Sequence, residues 1–526
     1  MSVLELTADV LVVGGGPAAT WAALKAAEDG ADVVLADKGY CGTSGATASA
    51  GTGVWYVPPE ADARERAMAS REALGGHLAD RRWMARVLDE TYDRMNELAD
   101  AGYPFPRVGD TQVRNGLQGP EYMRRQRIRV RRAGVRVLDH SPVAELLVDP
   151  AGVVSGAAGY RRQADQPYRV RAGAVVLASG GCAFLSKSLG CDVNTGDGAL
   201  MAAETGAELS GMEFSTAYSI APEHTTLTKN AFYRFGTFYR SDGSVLEGAA
   251  GTKRSPIARE LLRGKVYCRL NKADAQVQKA MRLAQPNFFL AFDRMGVDPF
   301  AELFPVTLLG EATVRGTGGI RLTGDDCATT VPGLYAAGDA ATRELICGGF
   351  TGGGSHNAAW AMSSGAWAGV GAARFARSLG DGLHLRKTEP AGGAGLRPAG
   401  SPAASGSYRE VVSTVRGEVL PYDKNYLRTG DVLSTSLAVL DDTWAWTRTA
   451  LRGAGGELVR ARQAAAMTAH ARWMYAAALA RTESRGMAKR IDHPDQDPAQ
   501  RHRLTVGGLD AVWTRPETGR LAEVAS

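Results

Sequence analysis

The sequence is poor in cysteine, and its six cysteines show no pairing pattern. No Cys-x-x-Cys pair occurs. We therefore expect reduced thiols, and neither a disulfide framework nor a zinc or iron–sulfur site held by this chain. Reduced thiols are typical of a cytoplasmic protein, which is the location we expect. The six residues are Cys41, Cys182, Cys191, Cys268, Cys327 and Cys347.

The net charge is also small, and the sequence has no long apolar run. The 526 residues include 61 Lys or Arg and 56 Asp or Glu. This balance excludes a disordered chain and nucleic-acid binding driven by bulk charge. No apolar run approaches the roughly 18 residues that a membrane-spanning helix needs. The first residues lack the basic start and small-residue cleavage site of a signal peptide, so we expect neither a membrane span nor secretion.

The sequence does have length, apolar residues and clustered glycines. At 44% apolar and 22% charged it has the composition of an ordinary globular protein, and its length allows about three domains. The 64 glycines fall in short clusters without a collagen-like period. We therefore expect a globular chain of enzyme size with several domains.

A strand–turn–helix–strand pattern opens the sequence. A β-branched run over residues 8–13 stops at three glycines, and a helical stretch follows from Pro17 to about Asp29. A second run over residues 31–36 ends at Asp37. This order and spacing are typical of a βαβ unit with parallel strands.

The glycine turn of this unit has the GxGxx(G/A) spacing of a dinucleotide-binding fingerprint. Gly14 permits the tight turn, Gly16 lets the backbone approach a pyrophosphate, and Ala19 lets the helix lie close to the strand. Asp37 can accept hydrogen bonds from ribose hydroxyls. The motif predicts dinucleotide binding, but by itself it does not distinguish NAD from FAD.

Three later segments favour FAD by resemblance. Residues 175–181 (VVLASGG), 194–209 (NTGDGALMAAETGAEL) and 331–340 (VPGLYAAGDA) look like the distal segments of flavoproteins with two dinucleotide-binding domains. The resemblance implies that Asp197 and Asp339 lie near the ribityl and pyrophosphate groups of the flavin.

Four further motifs narrow the resemblance: MEF at Met212, KRSPIAREL at Lys253, TGGI at Thr317 and RTESRG at Arg481. In this order they make residues 8–494 resemble the flavoprotein family of fumarate reductase, succinate dehydrogenase and L-aspartate oxidase. The resemblance implies an α/β fold class. A Rossmann-like FAD-binding domain would be interrupted by an α+β capping domain and followed by a C-terminal helical domain.

Shifts in composition fall at the same places. Residues 212–316 are more polar and aromatic and have no glycine fingerprint, whereas residues 389–407 are of low complexity. We expect an FAD-binding domain over residues 1–211 and 317–388, a capping domain over 212–316, a linker over 389–407, a helical domain over 408–493 and an irregular tail over 494–526.

The resemblance also implies how FAD is held. Respiratory members of the family carry a histidine bonded to FAD after the first βαβ unit. The matching position here is about Gly45, with no histidine nearby. We therefore expect FAD to bind without a covalent bond. The expected FAD contacts are Gly14, Gly16, Pro17, Ala18, Ala19, Asp37, Lys38, Ser44, Gly45, Thr47, Gly51, Val143, Ser179, Gly180, Asp197, Gly338, Asp339, Ser355 and Asn357.

The residues that bind a dicarboxylate substrate in the family are not reproduced in this sequence. Its first histidine falls on Tyr218, its second near Val314 or Arg315, and its clamp arginine near Gly352. A planar dianion needs charge-assisted, often bidentate donors. We therefore do not expect fumarate, succinate or aspartate as substrates, unless residues such as Arg315 and His356 supply those donors.

Four residues are candidates for catalysis. Arg254 matches the family's proton-transferring arginine, and a buried arginine with a lowered pKa can pass a proton. Tyr218 can donate a hydrogen bond to a substrate oxygen. His356 and Arg315 lie in motifs expected at the cleft, as does Arg343, which is a further candidate for contact with substrate. The alternatives are a surface arginine for Arg254, a packed aromatic ring for Tyr218 and a polar residue at the start of a helix for His356.

We expect an FAD-dependent oxidoreductase, whether dehydrogenase, reductase or oxidase, that moves a hydride between a small polar metabolite and FAD. Two alternatives stay open: a flavin subunit working with a ferredoxin-like partner, as in adenylylsulfate reductase, and a flavin-dependent oxygenase. Oxygen, a quinone or a ferredoxin-like protein would be the electron partner. The basic run over residues 123–137 favours a solvated helix over a surface for nucleic acid or an acidic redox partner. Substrate, reaction direction and oligomeric state do not follow from the sequence.

Overall fold

A computed structural model of the chain describes residues 2–228, 231–249, 253–351, 354–380, 386–392, 407–453 and 455–517. Its strands are β1 (Leu4–Val13), β2 (Val33–Ala36), β3 (Gly51–Gly53), β4 (Arg107–Val108), β5 (Thr111–Gln112), β6 (Gly116–Gln118), β7 (Arg136–Leu138), β8 (Val143–Val148), β9 (Val154–Arg161), β10 (Gln166–Leu177), β11 (Leu209–Ser210), β12 (Tyr218–Pro222), β13 (Thr237–Tyr239), β14 (Val266–Arg269), β15 (Phe304–Gly310), β16 (Gly319–Ile320), β17 (Leu334–Ala336), β18 (Glu389–Pro390), β19 (Leu504–Gly507) and β20 (Trp513–Pro516). Its α-helices are α1 (Pro17–Glu28), α2 (Ala61–Leu74), α3 (Arg81–Asp100), α4 (Gly119–Arg132), α5 (Asp197–Glu204), α6 (Arg254–Leu261), α7 (Ala275–Ala284), α8 (Pro286–Met295), α9 (Ala312–Arg315), α10 (Glu344–Cys347), α11 (Gly354–Ser378), α12 (Tyr408–Val419), α13 (Gly430–Ala450) and α14 (Gly456–Ala480).

The first β-branched run forms β1 near the middle of an eight-stranded sheet. The strand order is β18–β8–β9–β10–β1–β2–β7, and β17 also pairs with β10. The pairs β1–β2, β1–β10, β2–β7 and β10–β17 are parallel, whereas β9 lies antiparallel to both β8 and β10. Parallel strands finish at the same edge of a sheet. The carboxyl ends of β1, β2, β10 and β17 therefore meet on one side of the molecule.

Helices cover this sheet, as the βαβ pattern predicts. Helix α1 starts directly after Gly16, with Pro17 at its first turn. It packs against the long helix α11. Trp21 and Ala22 on α1 are completely buried, and Trp360 of α11 is equally inaccessible. The central strand residues are therefore enclosed, which explains a run of apolar residues without the alternation of a half-exposed strand.

A second, antiparallel sheet lies within residues 212–316. Its order is β12–β15–β14–β13, and its outer pairing begins with Tyr218 opposite Gly310. Helices α6, α7 and α8 pack with it around an apolar core rich in phenylalanine, including Phe288 and Phe292. This mixture of strands and helices is the α+β composition expected for a capping unit. The boundaries given in the sequence analysis stay predictions.

Helices α12, α13 and α14 form a third packed unit, the helical region expected toward the C-terminus. Most of α14 is buried, and its residues Trp473, Met474 and Tyr475 are fully enclosed. Within the described ranges, no helix combines the length and apolar character needed to cross a membrane.

The expectation of an irregular tail over residues 494–526 is wrong for part of that range. Strands β19 and β20 pair with each other, and β19 pairs with β11 in a four-stranded sheet ordered β16–β11–β19–β20. Each of these strands has four residues or fewer, which is too short for a periodic signal in the sequence. Of the predicted linker, residues 389 and 390 form β18 beside β8, and residues 393–406 lie outside the described residues.

Candidate functional site

A cavity of about 580 Å³ opens where the carboxyl ends of the parallel strands meet. The turn after β1, the residues after β2, the residues after β10 and the residues after β17 all contribute to its wall. In open α/β sheets, ligands bind in this position, outside the carboxyl ends of the strands.

All but two of the residues expected to contact FAD line this cavity. Ala19 is instead fully buried in α1, where it packs, and Ser355 is half-buried at the start of α11. Residues not anticipated from the sequence also line it, including Tyr40, His140, Arg162 and Gln463. The last of these lies on α14, more than four hundred residues from the fingerprint. No local pattern could have identified it. The expected residues on the wall are Gly14, Gly16, Pro17, Ala18, Asp37, Lys38, Ser44, Gly45, Thr47, Gly51, Val143, Ser179, Gly180, Asp197, Gly338, Asp339 and Asn357.

The fingerprint turn needs glycine for both conformation and space. Gly14 has φ +127°, and a Cβ there would lie 2.3 Å from the Ala178 carbonyl oxygen. A Cβ on Gly15 would lie 2.1 Å from Asp37 Oδ2. The turn therefore holds the free N–H groups of the α1 N-terminus against the cavity, where they can bind a phosphate group.

Two polar atoms of the cavity wall are buried without a protein partner. Asp37 Oδ2 and Ser179 Oγ have no hydrogen-bond partner among the described residues. Asp37 is only 3% exposed, and burial raises the pKa of its carboxyl group above the ordinary value. Buried polar groups are normally hydrogen-bonded. These two atoms therefore fit a ligand that brings hydroxyl or phosphate groups, as FAD does.

An ion pair crosses the same cavity. Lys38 Nζ lies 2.8 Å from Asp197 Oδ2 and 3.1 Å from Thr195 Oγ1. Lys38 follows β2, and Asp197 begins α5. The pair therefore fixes the distance between two parts of the wall that are far apart in the sequence.

At one end of the cavity, a buried carboxylate lies beside a cavity-lining arginine. Glu311 is completely inaccessible, and its Oε2 lies 3.5 Å from Arg315 Nε. Ser219 Oγ donates to Oε2, and Thr228 Oγ1 donates to Oε1 at 3.1 Å. The negative charge of Glu311 raises the pKa of Arg315. Glu311 is not among the residues predicted from the sequence, although an acid four residues before Arg315 has the spacing of a helical ion pair.

Arg254 is the second cation near this carboxylate. It is the first residue of α6 and is half-buried. Burial is the main cause that lowers the pKa of its guanidinium, and the positive charge of Arg315 also lowers it. Tyr426 and Glu311 act in the opposite direction and raise it. The next residue is tied down, because Ser255 Oγ lies 3.1 Å from the Tyr426 hydroxyl. Glu311 is thus influenced by two arginines from different elements.

Tyr218 does not line the cavity, and its hydroxyl is used elsewhere. It donates to the backbone carbonyls of Val419 and Leu420 at 3.1 and 3.0 Å. The ring is buried between Tyr422 and Tyr426. A hydroxyl has one proton, and here two carbonyls of the helical region share it. We therefore correct the catalytic interpretation of Tyr218 to a packing role between β12 and the end of α12.

His356 and Arg343 are also displaced from the roles expected of them. Neither lines the cavity. His356 is 5% exposed and packs on Trp55 at 4.7 Å between ring centroids, and burial lowers its pKa to about 3. Arg343 donates to the Asp339 carboxylate and to the carbonyls of residues 313, 314 and 316. It holds the segment before β16 against the turn after β17, which is a structural task.

The basic run is largely neutralised within the chain. On α4, Arg124 and Arg125 both pair with Glu121, and Arg127 pairs with Asp139 at 2.7 Å. This is the solvated helix that the sequence favours, with much of its charge already matched. Gly352, the position matching the family's clamp arginine, lies outside the described residues.

Two family models match the chain. The model described as an FAD binding domain matches residues 9–232, and the one described as the fumarate reductase flavoprotein C-terminal region matches residues 425–514. The chain is similar to L-aspartate oxidase of Streptomyces coelicolor, with 27% identity over 98% of this chain and 92% of that protein. It is also similar to L-aspartate oxidase of Rhodospirillum rubrum, with 32% identity over 44% of this chain and 74% of that protein.

The fold has close counterparts among solved structures. A quinol–fumarate reductase structure with menaquinol superposes with a TM-score of 0.82, covering 99% of this chain and all of that chain at 21% identity. That likeness shows the fold, and the sequence matches show the relationship. The chain belongs to the flavoprotein family of fumarate reductase, succinate dehydrogenase and L-aspartate oxidase, and it is an FAD-dependent oxidoreductase.

Proposed function

We propose that the protein moves a hydride between a small polar metabolite and non-covalently bound FAD, and that its substrate is not fumarate, succinate or L-aspartate. The observation that carries this proposal is the placement of Glu311. It lies 3.5 Å from Arg315, which lines the cavity, and it favours the charged form of Arg254. Arg315 supplies positive charge at one end of the cavity, and Glu311 couples it electrostatically to Arg254.

FAD, when bound, supplies a site that accepts or donates a hydride. The protein's own residues manage charge and protons around that transfer. Arg315 presents a guanidinium to the cavity wall and attracts an electron-rich substrate atom. Arg254 gives up a proton more readily than an arginine in water, because burial lowers its pKa. The negative charge of Glu311 favours the charged form of both arginines and so favours uptake of a proton by Arg254 after it has released one.

Non-covalent binding is supported by the residues around Gly45. Ser44, Gly45, Ala46 and Thr47 line the cavity, and none has a side chain that can bond to flavin as histidine does. The histidine on the described part of the wall is His140, which follows β7 and donates its backbone N–H to the Gly39 carbonyl. It therefore lies beside the end of β2, where a ribose is expected, rather than beside Gly45.

A changed substrate is supported by the loss of the family's polar groups. The hydroxyl of Tyr218 donates to backbone carbonyls. At the second histidine position, Val314 is apolar and buried, and the guanidinium of Arg315 is paired with Glu311. Tyr218 and Val314 cannot form the charge-assisted bonds that hold a planar dianion, so a single cation, Arg315, is left at these positions.

The test is the visible spectrum of the purified holoprotein under anaerobic conditions, during addition of single compounds. The panel includes succinate, L-aspartate, other amino acids, hydroxy acids and amines. We expect one class to bleach the flavin band, and no bleaching by succinate or L-aspartate. Bleaching by either of those two compounds would contradict the proposal.

The same experiment separates the alternatives. Rapid recovery of colour on admission of air indicates an oxidase, and slow recovery that a quinone accelerates indicates a dehydrogenase. If no donor bleaches the flavin but a reduced ferredoxin does, the protein acts as the flavin subunit of a larger system. An oxygenase would instead consume oxygen and place an oxygen atom in the product.

A further inference from the structure

The imidazole of His470 lies where three segments of the cavity wall meet behind the cavity. His470 is on α14 and is only 1% exposed. Its Nε2 lies 2.9 Å from Thr313 Oγ1, and its ring meets that of Phe184 edge-on with 6.0 Å between the centroids. A Cβ on Gly196 would lie 3.1 Å from its Nδ1, so the ring also packs on the backbone there. One side chain of the helical region therefore contacts α9, the segment after β10 and the residue before α5.

Each of these three segments has residues on the cavity wall, and so does α14 itself. Gln463 of α14 lines the cavity seven positions before His470. Seven residues make almost two helical turns, so the two side chains leave α14 on the same face. This face of α14 borders the flavin site. The wall residues of the three segments are Gly180, Asn194, Asp197, Val314 and Arg315.

The hydroxyl of Thr313 joins two of the segments. It accepts the backbone N–H of Cys182 at 2.8 Å. Its own proton can go to His470 Nε2 at 2.9 Å or to the Cys182 carbonyl oxygen at 3.4 Å. The contact with Nε2 has the usual length of a hydrogen bond, whereas the other is long. His470 thus fixes the direction of the hydroxyl proton and leaves a lone pair for the Cys182 N–H.

The backbone on both sides of this contact is in the left-handed region. Ala312, directly before Thr313, has φ +37°. Phe184, two residues after Cys182, has φ +56°. Residues other than glycine adopt such angles at a cost and keep them only where surrounding contacts fix them. The two joined segments are therefore held in defined positions, and the hydrogen bond from Thr313 to α14 is one of the contacts that hold them.

Stability alone does not favour histidine at this position. Its Nδ1 is buried and has no hydrogen-bond partner within the part of the chain that the structure describes. A buried polar atom without a partner destabilises the folded state, and an apolar side chain of similar size would avoid that cost. Burial also lowers the pKa of the imidazole to about 3, so the ring is neutral. The hydrogen bond to Thr313 is what distinguishes His470 from an apolar residue.

We propose that His470 is a positioning residue of the flavin site, which acts through Thr313 to hold Arg315 in place on the cavity wall. Neither His470 nor Thr313 lines the cavity, so the effect reaches bound FAD through Arg315, two residues after Thr313. Positive charge near a flavin favours its reduced, electron-rich form. Looser placement of the guanidinium should therefore lower the midpoint potential of bound FAD. The inference does not depend on the substrate proposed above.

The test is the midpoint potential of FAD in the holoprotein, measured by anaerobic reductive titration against a reference dye. His470→Met and His470→Gln introduce side chains of similar length, but only glutamine can form a hydrogen bond with Thr313. We expect His470→Met to lower the equilibrium constant for reduction by about tenfold, which is about 30 mV for two electrons. His470→Gln should keep the potential of the wild type.

A second pair of variants changes the other partner of the hydrogen bond. Thr313→Val removes the hydroxyl and nearly keeps the shape, whereas Thr313→Ser keeps the hydroxyl. We expect Thr313→Val to lower the potential and Thr313→Ser to leave it unchanged. Because His470 acts through Thr313, His470→Met should have no further effect in the Thr313→Val background. If His470→Met does not retain FAD, the comparison of the two Thr313 variants decides alone.

The matched control is Thr468→Val, which removes another buried hydroxyl, one that donates to the Ala464 carbonyl within α14. It should keep the wild-type potential. Three results would overturn the inference: a wild-type potential in either His470→Met or Thr313→Val, an equal fall in His470→Gln and His470→Met, or additive effects of His470→Met and Thr313→Val. An equal fall in Thr468→Val would also overturn it, because any loosening of α14 would then have the same effect.

Discussion

Glu311 Oε2 and Arg315 Nε lie 3.5 Å apart across the four-residue helix α9, which Glu311 precedes and Arg315 ends, with the carboxylate completely buried and the arginine lining the flavin cavity. A buried carboxylate is stable only when its charge is matched. Here the matching positive charge belongs to Arg315, which lines the flavin cavity. The ion pair therefore ties the stability of this segment to the electrostatics of the reaction.

Replacing the carboxylate should slow the reaction without removing the cofactor. In Glu311→Gln one of the hydroxyls of Ser219 and Thr228 can still donate to the amide oxygen and the other can accept from the amide NH2, but Arg254 and Arg315 lose their shared negative charge. We expect the rate of flavin bleaching by the donor found in the panel to fall at least about 100-fold, the lower range for a lost acid–base group. Anaerobic stopped-flow absorbance measures this rate. The control is Glu247→Gln, at an exposed position of the same segment, and an equal loss in both variants would refute the role.

Removing the Asp37 side chain should weaken FAD binding. Its buried Oδ2 has no partner among the described residues and faces the cavity. Loss of a hydrogen bond to a charged group costs about 1.5–3 kcal/mol, so we expect Asp37→Ala to raise the Kd for FAD by tenfold or more. Flavin fluorescence after dilution measures this Kd. Asp32→Ala, at an exposed position just before β2, should bind FAD as the wild type does; if Asp37→Ala also does so, the contact is not made.

Acid precipitation should separate the flavin from the protein. Because the residues around Gly45 include no histidine, we expect all the yellow colour in the supernatant after treatment with trichloroacetic acid. Colour that stays with the pellet, and flavin fluorescence in the protein band of a denaturing gel, would demonstrate a covalent bond instead.

Stability should depend on pH through Glu344. Its Oε2 accepts a hydrogen bond from Ser210 at 2.6 Å, and burial, followed by the nearby charge of Glu213, raises its pKa to about 8 from the ordinary 4.5. Between these two values the unfolded chain has lost the proton while the folded chain keeps it. Rising pH therefore favours unfolding within this window, and the effect levels off above about pH 8.

The measurement is urea unfolding of wild type and Glu344→Gln between pH 5 and pH 8.5. A single proton contributes at most about 1.4 kcal/mol per pH unit. We expect the free energy of unfolding of the wild type to fall with pH more steeply than that of the variant. Parallel curves would show that Glu344 does not carry a shifted pKa. Glu247→Gln again serves as the control and should follow the wild type.

The parts of the site that a local pattern encodes could be predicted from the sequence. The fingerprint from Gly14 to Asp37 lies within one βαβ unit, and the structure places it as that pattern requires. The spacing of Glu311 and Arg315 is a local signal for an ion pair, but the burial of Glu311 could not be predicted in this way, because its hydrogen-bonding partners Cys191, Ser219 and Thr228 lie 120, 92 and 83 residues away. Only the tertiary fold shows that these groups surround one carboxylate.

Alignment with a family motif also has a physical limit. The alignment matches Tyr218 to the position of the family's first histidine, but the direction in which a side chain points depends on the residues that pack around it. The carbonyls of Val419 and Leu420, some two hundred residues later, take up the hydroxyl.

Tyr218 and Gly310, which are paired opposite each other across β12 and β15, are the two points where the chain enters and leaves the antiparallel sheet. An excursion of some ninety residues therefore begins and ends at one pair of opposed residues, and none of its described strands belongs to the eight-stranded sheet. Insertions, deletions or replacement of the whole segment between these two residues leave the chain connections between the strands of the eight-stranded sheet unchanged. This arrangement allows one FAD-binding unit to serve new substrates through changes in one continuous stretch of sequence.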